Sequence, residues 1–155
     1  MSLKSTSLAS IPDHTARIAR TVFPKGNTYL NLRDQFGSVY EDADFDQLFP
    51  SRGRPAESPA RLALVVIFQF LENLSDRAAS EAVRARIDWK YALGLELDDS
   101  GFDASVLTEF RHRLIANDQA RILFEKLLEK IKVAGLIKAR GQQRTDPGAC
   151  SGICP

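Results

Sequence analysis

The chain has 155 residues, 44% hydrophobic and 26% charged, with Lys+Arg 21 against Asp+Glu 20 and a net charge of +1. Those values suit one soluble globular domain and exclude a histone-like polycation, a strongly acidic tail protein and wholesale disorder. The longest apolar run, Leu62 to Phe68, falls far short of the roughly 20 residues a bilayer needs, no basic-then-apolar leader opens the chain, and Cys150 and Cys154 lie too close together to staple a secreted scaffold; the expectation is a cytoplasmic protein with no membrane partner.

Residues 1–12 read as a polar, frayed tail. Between Asp13 and Pro50, Pro24, Gly26 and Gly37 break the pattern into one or two short helices that end in the acidic stretch Glu41 to Asp44. The Gly and Pro of 51–55 mark a loop, in which Arg52 and Arg54 flank Gly53. Ser58 before Pro59 is an N-cap with proline at the first helical position. Leu62 through Leu71 is then apolar almost all round, the mark of a helix at the centre of a core. Ser75 caps a second helix to about Arg86, with Ala79, Ala82 and Val83 on one face. Asp88 is read as the cap of a short helix from Trp89 to Leu93, stopped by Gly94; Trp89 and Tyr91 read as core residues rather than base-stacking ones.

Asp103 is an N-cap with Phe102 and Leu107 at the spacing of a hydrophobic staple. Asn117 or Asp118 is expected to open a last long helix, in which Leu123, Phe124, Leu127, Leu128 and Ile131 recur with helical spacing and Gly135 and Leu136 supply the ending. No run of alternating β-branched residues competes with these helices. The expected class is therefore all-α, a helical bundle over 13–140.

The sequence contains no complete active site. His14, His112, Cys150 and Cys154 lack finger-like spacing, so no metal site is expected. No glycine-rich phosphate loop is present and His112 has no nucleophile signature around it. Charge is distributed unevenly, however. From Ser105 to Arg144 nine basic residues stand against four acidic ones, a net +5 that leaves −4 for the rest. On a wheel at about 100° per residue, Val106, Leu107, Phe110 and Leu114 cluster on one side of the helix Ala104 to Ile115. Ser105, Thr108 and His112 point the other way with Glu109 beside them, and Arg111 and Arg113 fall on the flanks. An apolar back, short hydrogen-bonding groups in front and basic groups at the sides suit a helix that reads a DNA major groove. The bland alternative is a solvated amphipathic face. The preceding helices supply a helix-turn-helix-like support, although the link Leu95 to Gly101 is longer than the usual tight turn.

Val22 to Asn27, Leu48 to Pro55, Leu74 to Arg77, Ile87 to Leu95 and Gly101 to Arg111 stand in an order and spacing that resembles the N-terminal domain of bacterial insertion-sequence transposases of the DDE class. The resemblance covers about residues 17 to 146. It implies a helical module ahead of an RNase H-like catalytic domain, in which two Asp and one Glu hold two divalent metal ions. Arg144-Thr145-Asp146 matches the segment around the first catalytic Asp, so Asp146 corresponds to that ligand. Pro147 then replaces the expected small hydroxyl residue, and residues 148–155 match nothing in the family. The expectation is a truncated or frame-shifted product, with 141–155 the start of a missing catalytic domain and an aberrant tail.

The reading that follows is a DNA-binding fragment without catalysis, needing no Mg²⁺ by itself, whose partner is double-stranded DNA at the element's terminal inverted repeats. Ser105, Thr108 and His112 are the candidates for bases, and Arg111, Arg113, Arg121, Lys126 and Lys130 for the phosphate backbone. The alternatives are an assembly or dimerisation module that pairs with transposase subunits or with itself, and a decayed fragment without a role.

Overall fold

The computed structural model describes residues 10–48 and 57–133, so Cys150, Cys154, Arg52, Arg54, Gly135, Leu136, Asp146 and most of the expected tails lie outside the described residues. Every described element is helical: α1 (Asp13–Val22), α2 (Thr28–Phe36), a 3-10 helix (Asp42–Leu48), α3 (Pro59–Glu72), α4 (Asp76–Ala85), α5 (Ile87–Leu93), α6 (Ala104–Ala116) and α7 (Ala120–Val133). The class is all-α, as the periodicity predicts. None of these helices is long and apolar enough to cross a membrane.

Polar side chains at the helix starts account for much of this segmentation. The Asn27 side chain accepts from the backbone N–H groups of Tyr29 at 3.1 Å and Leu30 at 3.0 Å, which starts α2. Its amide also donates to Asp88 Oδ2 at 3.1 Å and so ties the start of α2 to α5. Ser58 caps α3 with Pro59 in its first turn. The Ser58 hydroxyl donates at 2.6 Å to Asp42, and that buried carboxylate also accepts from the Ala60 N–H at 3.1 Å. A negative charge at the donor-rich end of α3 is favourable and fixes the 3-10 helix against it.

α3 is the centre of the core, with every residue from Leu62 to Gln69 buried. Tyr29, Phe68 and Trp89 form an aromatic cluster with ring centroids 4.7, 5.3 and 5.9 Å apart. α5 packs on α1 and α2, while α6 packs on α4 and α3. α4 and α6 touch directly, yet α5 and the link 95–101 separate them in sequence, so no tight turn joins the pair.

Three boundaries differ from the sequence reading. α5 begins at Ile87, and Asp88 lies inside its first turn with its carboxylate accepting from the Trp89 N–H at 2.9 Å. Asn117 closes α6 instead of opening α7: its backbone and side-chain amides both donate to the Arg113 carbonyl. Asp118 follows with φ +54°, and α7 starts at Ala120. The end of α3 also leaves the core, for Phe70 and Leu71 are both exposed.

Candidate nucleic-acid interface

α6 is oriented by its own sequence. The Asp103 carboxylate accepts from the Ser105 N–H at 2.9 Å, which holds that carboxyl below its ordinary range. Phe102 and Leu107 are both buried, with Phe110 and Leu114 continuing the apolar stripe inward. Ser80 of α4 donates to the Phe102 carbonyl at 2.8 Å and locks the entry to α6.

The opposite face presents Ser105, Glu109 and His112 to solvent. Thr108 does not join them. Its hydroxyl donates to Asp76 Oδ2 of α4 at 2.7 Å. Arg111 turns to the same carboxylate, with Nη2 2.6 Å from Oδ2 and Nη1 against Oδ1. Gln69 of α3 adds a bond to Asp76 at 2.9 Å. The Arg111 guanidinium, followed by the Gln69 and Thr108 donors, holds the Asp76 carboxyl well below the usual carboxylate range despite its partial burial. Arg111 in turn is raised by the same contact. Two of the eight candidates are thus spent on one carboxylate in another helix.

The other basic candidates are mostly paired as well. Arg113 donates to the Leu48 carbonyl at 3.0 Å and to Glu109 at 2.7 Å. Arg121 pairs with Glu125 at 2.8 Å on a largely exposed stretch of α7, where such pairs are weak and easily exchanged. Lys126 contacts Asp44 of the 3-10 helix. Lys130 is exposed at the rim of a cleft of about 260 Å³ that it shares with Val39, Lys126, Glu129 and Val133.

Ser105, Glu109 and His112 therefore share one outward face. Arg113 sits at its edge, and Arg121, Lys126 and Lys130 lie on the next helix. Sequence reasoning missed Asp76, because Ser75-Asp76 reads as a helix start and its long-range partners leave no local signal. It missed Asp44 for the same reason. Among the described residues no group of three or more His, Cys, Asp or Glu side chains is placed to hold a metal ion.

Residues 17–113 match a protein family described as a transposase domain (DUF772). No curated protein and no solved structure matches the chain.

Proposed function

Because the chain belongs to the transposase domain family DUF772, which covers its residues 17–113, we propose that it is a DNA-binding N-terminal module of a bacterial insertion-sequence transposase of the DDE class. It reads double-stranded DNA at the element's terminal inverted repeats, works in the cytoplasm, and by itself neither cuts nor joins DNA. The observation that carries this reading is the outward face of α6, where Ser105, Glu109 and His112 project from a helix fixed on its other sides.

Reading a base edge needs side chains whose positions vary little, since a bidentate or short hydroxyl contact is lost with small displacements. The buried anchors Leu107, Phe110 and Leu114 set the depth of α6. The contacts of Thr108 and Arg111 with Asp76 set its rotation. In this arrangement Thr108 and Arg111 position the reading face, while Ser105 and His112 donate to base acceptors. Glu109, partly neutralised by Arg113, is suited to accept from a cytosine amino group. Arg121, Lys126 and Lys130 supply phosphate contacts from α7.

The test is fluorescence anisotropy of the full chain on a duplex of the element's terminal repeat and on a scrambled duplex, over a range of salt. Preference for the repeat is expected, with log K falling against log[salt] at a slope of about −4 to −5 if some five phosphates are contacted. Equal, weak binding to both duplexes overturns the reading. Mg²⁺-dependent nicking by the pure chain overturns the statement that it lacks catalysis.

A further inference from the structure

α7 has a second apolar stripe that does not face its own core. Leu123 is buried, but on the wheel Phe124, Leu128 and Ile131 lie within about 60° of one another on the adjacent side. Phe124 and Leu128 are 43% and 44% exposed. Phe70, at the end of α3, stands edge-on to Phe124 with ring centroids 5.7 Å apart and is itself 68% exposed. Two aromatic rings and a leucine gathered on one surface of so small a domain mark a place of contact.

The charges bordering the stripe identify its occupant. Its outer flank carries Arg121, Glu125, Glu129 and Lys132, two of each sign. A nucleic acid or an anionic membrane selects a basic border, and this one is neutral. It is instead complementary to itself. When two copies of α7 run antiparallel with Leu128 opposite Leu128, Glu125 of each copy lies within about 1.5 Å of level with Lys132 of the other, on the same flank. The same register sets Phe124 beside the other copy's Ile131. Among the described residues Lys132 has no ion-pair partner, and Glu125 pairs only with the exposed Arg121.

We infer that this face, formed by Phe70, Phe124, Leu128 and Ile131, is a two-fold self-association surface occupied by the same face of a second copy of the chain. The apolar stripe shares no side chain with the base-reading face of α6, and only Arg121, on its flank and paired with Glu125, is also a phosphate candidate. Few apolar side chains form the stripe, so a weak dimer is expected, with a Kd in the micromolar range.

Sedimentation equilibrium of the full chain, from about 1 to about 500 µM, tests it. A reversible monomer–dimer equilibrium is expected. Leu128→Glu weakens it by about tenfold or more, because a carboxylate then meets its copy in an apolar contact, while the far-UV CD spectrum stays that of the parent. Glu125→Lys also weakens the dimer by placing like charges together, and the exchange of both charges, Glu125→Lys with Lys132→Glu, restores it. A chain that remains monomeric throughout, a dimer indifferent to Leu128→Glu, or a double exchange that fails to rescue overturns the inference.

Discussion

Arg111 of α6 grips Asp76 of α4 across 35 residues of sequence, Nη2 lying 2.6 Å from Oδ2. The same oxygen accepts from Thr108 and the other faces Gln69, so one carboxylate joins three helices. Both groups are about a quarter to a third exposed, which moderates the strength of the pair through solvent screening. Its value lies in leaving no donor or acceptor unmatched at a helix crossing.

Asp76→Ala is accordingly expected to lower the unfolding free energy by about 2 kcal/mol, measured by urea titration, because it strands Arg111 and Thr108 together. Asp76→Asn reports the charge. The native carboxyl titrates below its unfolded value, so its contribution is present above a pH of about 4 and is lost as pH falls through the folded value. The stability gap between parent and Asp76→Asn should be full near neutral pH and close progressively below a pH of about 4. A gap that persists unchanged at low pH contradicts the charge assignment.

How much of this was visible in the sequence varies by element. α3 was legible because the unbroken apolar run from Leu62 to Phe68 leaves a helix nowhere to sit except the core, and α6 because Phe102, Asp103 and Leu107 give cap and staple together. The start of α7 was not, since Asn117 and Asp118 are residue types that serve helix ends and left-handed turns as readily as helix starts. The 3-10 helix was hidden for a similar reason: its acidic residues read as the end of the preceding helices, although Phe45 and Leu48 are buried. At the candidate site the wheel placed Ser105, Glu109 and His112 outward and Leu107, Phe110 and Leu114 inward. It failed for Thr108 and Arg111, because a wheel knows direction about one axis and nothing of a carboxylate arriving from another helix. Lys90, 2% exposed with its ammonium donating to the Asp99 carbonyl at 2.6 Å, was equally out of reach of pattern reasoning.

Gly101 is the corner that delivers α6 to α4. Its φ is +70°, a Cβ there would lie 3.3 Å from Val83 Cγ1, and its N–H donates to Asp99 Oδ1 at 2.7 Å. A side chain meets both backbone strain and a close neighbour, so Gly101→Ala should cost about 1–2 kcal/mol in the same titration. An unchanged midpoint would show that the corner relaxes freely.

Tyr40 gives the opposite pH dependence to Asp76. Its fully buried hydroxyl donates to the Leu123 carbonyl and pins the segment before the 3-10 helix to α7. Burial, followed by the nearby Asp44 charge, pushes this phenol well above its ordinary value, and burial pushes Tyr29 up to about 12. A group raised in the fold contributes stability that is whole below its unfolded pKa, about 10, and is lost as pH rises toward the folded value. Stability should therefore decline from a pH of about 10 upward. Tyr40→Phe should flatten part of that decline while costing about 1 kcal/mol at neutral pH for the lost bond. A decline of the same slope in Tyr40→Phe would assign the alkaline effect to other groups.

The pairing of the basic residues changes which substitutions test DNA binding cleanly. Arg111→Ala breaks the contact with Asp76, so any loss of affinity mixes readout with misplacement of α6. Lys130 and His112 are exposed and can be removed without breaking an ion pair among the described residues. Lys130→Ala should weaken binding to terminal-repeat and scrambled duplexes alike, by about three- to tenfold, and make the log K against log[salt] slope about 0.9 shallower. His112→Ala should instead weaken only the terminal repeat and leave the slope unchanged, because a base contact releases no counterion. The two variants thus separate electrostatic footing from base readout on folded proteins of equal stability. If His112→Ala and Ser105→Ala both leave the preference for the repeat intact, the outward face of α6 does not read bases, and the positive charge of α7 alone accounts for any DNA binding that remains.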